Sequence, residues 1–396
     1  MASRTSRYTS ALFFLGSTHF LIHVLSQVLP AVLPVIRGEM SLTLTQASLL
    51  VSIPLLVQVV AYLPVGFASD KRSALVLALG LILTAAAAVI IPSSGSYGLI
   101  MLGFVFLALG STLYHPPALK VTSEVEPGKL GSVMGIQTAG GSLGYAAGPI
   151  LLGLIIPVWG WRTTFYIWTP VILLAAIYSY IFVYRSTKPL STEKTQAPPK
   201  NLSRSLFSKR FIVVVLIGAL TDATFTNMST YFTIYLTDVR GVTAAVASII
   251  FGIGSLVGIV ACIWGGAAAD RFGRYGTTVL ITALMAIIMA LIPVSGSLIL
   301  VALFYVLWRS LYSASMPLIS ALVALHSESG ARSLAFSVAF LASNATSALA
   351  PVATSIAIGS RMEAIFPVSI LISLPGVALT LYLRRLVKEE DVTTVT

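Results

Sequence analysis

An all-α membrane protein is the fold this sequence predicts, with twelve transmembrane helices in two six-helix bundles related by a pseudo-two-fold axis along the membrane normal. Three observations predict it. The chain is very apolar, it divides into twelve runs long enough to span a bilayer, and its landmarks recur at a nearly constant offset. Of 396 residues, 57% are hydrophobic and 9% charged, and the mean hydropathy is +0.95. An ordinary soluble domain is about 25% charged, and a soluble protein this apolar could not cover its surface with polar groups. A cytosolic enzyme, a secreted domain and a disordered chain are excluded. The net charge of +11 does not indicate nucleic acid, because the basic residues punctuate apolar runs instead of lining a soluble face.

The runs fall at about 11–36, 47–68, 74–92, 97–118, 130–157 and 163–184, then at about 210–236, 243–264, 276–294, 297–323, 332–358 and 362–383. Arg4 and Arg7 before an apolar stretch superficially resemble a signal peptide. The stretch is too long for one and lacks a small-x-small cleavage site, so it reads as the first span. The lone Cys262 allows no disulfide within the chain and no cysteine metal cluster. The polar stretch 185–209, with Pro198, Pro199 and several basic residues, reads as a solvated tether near anionic lipid. It separates an N-terminal six-helix bundle, 1–184, from a C-terminal one, 210–396.

The landmarks of the two halves match. Gly66 to Asp70 (GFASD) recurs as Gly266 to Asp270 (GAAAD), and Ile91 to Ser96 (IPSSGS) as Ile292 to Ser297 (IPVSGS). Pro116 recurs as Pro317 and Pro149 as Pro351. The chain reads as a tandem duplication. An even number of helices per unit keeps both copies in the same orientation. All but Arg37, Arg162, Arg240, Arg361 and Arg309 of the 24 basic residues fall on one side of these spans. By the positive-inside rule, both termini and the linker are cytoplasmic.

Twelve helices in two parallel halves joined by a basic loop resemble the major facilitator superfamily. Gly266, Asp270, Arg271, Gly273 and Arg274 match its loop motif G-x-x-x-D-R-x-G-R. A degraded copy keeps Gly66, Asp70, Lys71 and Arg72 but has Ser73 in place of the second glycine. The resemblance implies a latch that holds one conformation; ordinary positive-inside charge is the plainer alternative. Gly144, Gly148, Pro149 and Gly153 resemble the G-x-x-x-G-P-x-x-G-G motif of members that exchange a solute for protons. Small residues there permit close helix packing, and Pro149 removes a backbone donor. A narrower stretch, Gly110-Ser-Thr-Leu-Tyr114-His115-Pro116-Pro117, followed by Gln137, Gly140 and Gly141, resembles the fosmidomycin-resistance branch. His19-Phe20-Leu21-Ile22-His23, then Gln27, Pro30 and Pro34, agrees with that branch in part, with His23 where the branch tends to have an acid. A prokaryotic cytoplasmic membrane is the implied location.

Charged groups at mid-bilayer are costly, so each is a functional candidate. Asp222 and Arg309 lie near the centres of the seventh and tenth runs. The family resemblance implies that the first, fourth, seventh and tenth helices line a cavity, where these two either pair or face the solute. His19 and His23 share a helix face, which Gln27 extends. Histidine titrates near neutral pH, so the proton-coupling candidates are Asp222, His23 and His19. No convincing third ligand is visible, and no metal is expected. His115 precedes two prolines expected to break the helix, whose freed carbonyls it could satisfy. The remaining solute-binding candidates are Arg309, Gln27, Tyr114, His115, Gln137, Asn227, Tyr231, Tyr312 and Asn344. Phe225 and Trp308 face either the cavity or lipid.

The hydrolase-like pattern Gly140-Gly-Ser142-Leu-Gly144 lies in an apolar helical run and not at a strand-to-helix turn. Gly252, Gly254 and Gly258 read as a packing face. No Walker A lysine motif is present. The reading is a secondary active transporter moving a small organic solute by alternating access, proton-coupled and exporting by antiport. The alternative is a proton symporter taking up a small organic anion or zwitterion. The outside readings are an intramembrane enzyme or a transporter-like sensor. No catalytic residue, cofactor or nucleic-acid partner is expected; the expected state is a monomer whose partners are solute, protons and lipid.

Overall fold

The computed structural model describes residues 4–125, 130–186, 208–327 and 332–393. The linker 185–209 lies almost wholly outside them, as do the side chains of Asp70, Lys71 and Asp270. The described residues contain twelve segments long and apolar enough to cross a membrane. The helices are α1 (Arg4–Ser26), α2 (Val28–Glu39), α3 (Leu44–Ser93), α4 (Tyr97–Val125), α5 (Leu130–Trp159) and α6 (Trp161–Ser186), then α7 (Lys209–Asp238), α8 (Ala244–Phe272), α9 (Arg274–Val294), α10 (Leu298–Leu325), α11 (Arg332–Ile358) and α12 (Ile365–Thr393). The first span comprises α1 and α2; the second and third both lie in α3.

Contacts divide the chain into two compact units, Met1–Thr192 with Gly241–Leu256, and Glu193–Arg240 with Val257–Thr396. In each, the repeated Ile-Pro-x-Ser-Gly-Ser segment ends one helix and starts the next. Ser94 and Ser295 cap the ends of α3 and α9, donating their backbone N–H to Ile91 O and Ile292 O. Ser297 then accepts from Leu300 N to start α10.

Prolines shape the first span. Pro30 lacks an N–H and crowds the carbonyl four residues back, which is Ser26, where α1 stops. Gln27 therefore sits at the break between α1 and α2 instead of extending the His19–His23 face along one helix. Pro116 and Pro117, by contrast, do not break α4, which runs through them. The copies of the loop motif also differ. Gly273, at φ +86°, adopts a conformation that an L side chain rarely takes, and it separates α8 from α9. At the equivalent place Ser73 stays helical, its Oγ donating to Ser69 O at 2.7 Å. The chain bends one residue earlier, at Arg72 (φ −142°, ψ 51°).

In the first unit α1 packs most extensively on α5. Gly140, Gly144 and Gly148 of α5 lie directly against the backbones of Gly16, Phe20 and Val24 of α1. A Cβ on Gly144 would stand 2.5 Å from Phe20 O. Gly153 likewise faces Ala245 O and Ile249 of α8. In the second unit α7 packs most extensively on α11, above a cluster of Phe211, Val214, Ile217, Leu322, Ala335 and Leu383. Large apolar side chains such as Val60, Leu174, Ile263, Ile299 and Ile356 are exposed, as lipid contact requires.

Candidate functional site

Among the described residues, each unit gathers ionisable side chains at one prominent centre. In the first, α1 supplies His19 and His23 one turn apart, and α4 adds His115. His23 Nε2 lies 3.2 Å from His115 Nε2, and one ring nitrogen from each of the three histidines falls within 4.8 Å of the others. The third ring, which spacing along α1 does not supply, thus comes from another helix. His115 Nδ1 donates to Ser111 O at 2.7 Å. That carbonyl is not one of those that Pro116 and Pro117 leave without donors, which belong to Thr112 and Leu113. His19 Nδ1 donates to Gln137 O at 2.6 Å. Fully buried Tyr114 stacks on His19 and bonds Thr18 Oγ1 at 2.8 Å and the Gln137 side chain. The Tyr145 ring packs 4.4 Å from His23. Gln27 Oε1 is buried without a partner.

In the second unit, Asp222 of α7 accepts a hydrogen bond from Tyr312 of α10 at 3.0 Å and bonds Ser343 of α11. It borders a cavity of about 50 Å³ lined also by Gly218, Met316, Phe336 and Phe340. Arg309, although nearly fully buried, forms no ion pair with Asp222. Its guanidinium lies 4.6 Å from the Phe225 ring centroid and 5.2 Å from that of Tyr312. Nη1 donates to Ser313 at 2.8 Å, and Nε has no partner. Phe225 and Tyr312 stack at 4.1 Å. Tyr312 therefore stands between the two charges, its hydroxyl on one and its ring under the other. Trp308 is fully buried and does not face lipid.

Other candidates are committed to packing. Asn227 donates to Ser369 of α12 at 2.8 Å, and Tyr231 to Pro351 O at 2.5 Å; both are fully buried. Asn344 donates to Phe340 O within its own helix, whereas its neighbour Ser343 reaches Asp222. Sequence reasoning passed over Ser343, Ser26 and Ser111. Only Ser111, four residues before His115 in the quoted motif, carried a signal. Arg72, Arg271, Gly273 and Arg274 are exposed, and Gly66 is half-buried.

The Major Facilitator Superfamily model matches residues 15–351. The chain belongs to this superfamily of transporters. It is 26% identical over 271 residues to the uncharacterized MFS-type transporter YfnC of Bacillus subtilis, covering 66% of each chain. It is 24% identical over 291 residues to the fosmidomycin resistance protein of Escherichia coli, covering 69% of each. The multidrug resistance protein MdtG of Salmonella arizonae is 26% identical over 193 residues, 47% of this chain and 46% of that protein. Among solved structures, a bacterial homologue of the human lysosomal transporter Spinster, inward-facing and unoccupied, matches with TM-score 0.78 and 16% identity over 95% of both chains. A peptide transporter crystallised with sulfate matches with TM-score 0.78 and 14% identity over 98% of this chain and 99% of that one. Such superfamily members share the all-α, multi-span fold described above.

Proposed function

We propose that this chain is a proton-coupled exporter of a small organic solute, working by antiport across the cytoplasmic membrane with both termini and the basic linker inside. The observation that carries the reading is the Asp222–Tyr312–Arg309 arrangement. A carboxyl in mid-membrane is held by two hydroxyls beside a cavity, and an uncompensated guanidinium lies on the same tyrosine. A buried cation without a counter-charge is costly, so Arg309 suits a solute bearing an anionic or electron-rich group. Asp222 is the proton carrier: protonation removes the charge that Tyr312 answers, weakening the bond between them and favouring a turn of the Tyr312 hydroxyl toward Arg309 and the solute. The names of the fosmidomycin and multidrug resistance relatives favour a drug-like solute moved outward. The Gly266–Arg274 loop serves as the latch between states, with Gly273 its pivot.

The test is transport in inverted vesicles. Asp222→Asn should abolish accumulation driven by a pH gradient while leaving solute exchange at equal pH partly intact. Arg309→Ala should impair both. If Asp222→Asn retains full gradient-driven accumulation, Asp222 is not the coupling group, and His19 or His23 takes its place.

A further inference from the structure

The three histidines of the first unit have a feature that the proton reading of Asp222 leaves unused. Their Nδ1 atoms are all engaged, and the partners decide which nitrogen carries hydrogen. A carbonyl oxygen can only accept, so His115 Nδ1, against Ser111 O, and His19 Nδ1, against Gln137 O, are both protonated. The Ser26 hydroxyl lies 3.0 Å from His23 O and 3.2 Å from His23 Nδ1; with its proton on that carbonyl, it accepts from Nδ1 and leaves His23 Nε2 free of hydrogen. In that tautomer the Nε2 atoms of all three rings carry lone pairs. Two of these lone pairs face each other across 3.2 Å, between His23 and His115. The Nε2 of His19 is buried with no hydrogen-bond partner. In that tautomer the nitrogens repel one another until a cation sits among them. A hydrogen on His23 Nε2 would satisfy the pair with His115 but leave the buried His19 Nε2 without a partner; a metal ion satisfies all three.

We propose that His19, His23 and His115 form a binding site for one divalent first-row transition-metal ion, Zn²⁺ or a close analogue. Coordination is through the three Nε2 atoms, with a fourth position left to water or to a donor atom of a bound solute. Tetrahedral coordination with Zn–N near 2.0–2.1 Å spaces ligand nitrogens at about 3.3 Å. The His23–His115 pair already stands at that spacing, and His19 has a ring nitrogen within 4.8 Å of theirs, so metal binding would draw it closer. Imidazole ligands select Zn, Cu or Ni ions over Mg and Ca. The anchored Nδ1 atoms are the outer-shell bonds that orient metal-binding histidines. The setting is built around the rings. Tyr114 and Tyr145 pack against them, and Gly141 of α5 lies where a Cβ would stand 2.5 Å from His19 Cε1. A bound ion would tie α1 to α4.

The experiment uses the untagged full-length chain, stripped with chelator in detergent, titrated with Co²⁺ and then challenged with Zn²⁺. One equivalent of Co²⁺ should give the visible absorption of a tetrahedral site, and Zn²⁺ should displace it. His23→Gln and His115→Gln should each weaken binding by more than the roughly 10–100-fold that losing an outer-shell partner costs. Ser26→Ala, which removes only such a partner, should fall within that range. His326→Gln should change nothing, since that ring bonds Tyr275 of the second unit. Metal-free thermal unfolding reports whether each variant folds; Ser26→Ala and Gly141→Ala serve if a ligand variant does not, and both should weaken binding. The proposal is overturned if the unsubstituted chain shows no saturable Co²⁺ binding, or if His115→Gln or Ser26→Ala binds as tightly as the unsubstituted chain. The readout involves no transport, so it fails or succeeds independently of Asp222.

Discussion

The first and fifth helices of each repeat, α1 with α5 and α7 with α11, are the same pair in a duplicated unit, yet they are held in different ways. In the first unit the contact is backbone on backbone. Three glycines of α5, one turn apart, accept the carbonyl ridge of α1. In the second unit the pair is joined by side-chain hydrogen bonds: Tyr231 donates to Pro351 O, and Thr346 Oγ1 lies 3.0 Å from Ala219 O. Small residues and polar links are the two means of joining helices where lipid removes the hydrophobic drive. The first allows no added atom; the second loses only one bond when a hydroxyl is removed. The polar centres diverge in parallel. A close glycine contact sets α5 against the cluster of three histidine rings, while the second unit holds a carboxyl and a guanidinium separated by a tyrosine.

This contrast can be broken by substitution. Gly148→Ala would drive a methyl group into Val24 O and C, which are backbone and cannot step aside. It should cost the most, about 1–3 kcal/mol or more, read as a lower midpoint of thermal unfolding in detergent. Tyr231→Phe keeps the ring and loses one buried bond, so about 1 kcal/mol is expected by the same measurement. If the two losses prove equal, the two interfaces do not differ as described. Glu39→Gln sets the lower bound. It weakens the Glu39–Arg162 pair at 2.9 Å, where both side chains are 41% exposed, but can still accept from Trp161 Nε1. A change between zero and about 1 kcal/mol is expected.

Hydropathy and the repeated landmarks made the span count and the breaks between spans legible in the sequence, because each depends on local composition. The break at Gln27 was less visible, since its cause, Pro30, acts four residues upstream through a carbonyl. Hydropathy separated the second and third spans at the polar break around 70–73, but it did not show that the chain stays helical across that break, interrupted only at Arg72. The site divides in the same way. The His19–His23 pair follows from one turn of helix, whereas His115 arrives from 92 residues away through packing that no periodicity encodes. Opposite charges at Asp222 and Arg309 suggested pairing. Tyr312 stands between them because it is three residues beyond Arg309 on α10, and so lies on the same face.

The glycine contact also determines where inherited change can be absorbed. The atoms that α1 offers to α5 at positions 16, 20 and 24 are backbone oxygens, which every amino acid possesses, while α5 meets them with the absence of a side chain. Replacement of Phe20 leaves its carbonyl in place, and its cost comes from elsewhere, chiefly the lost ring contact with Trp168. At Gly140, Gly144 or Gly148, any replacement adds an atom. A saturation library across both helices should therefore be lopsided, with varied survivors at position 20 and glycine alone at the three positions of α5.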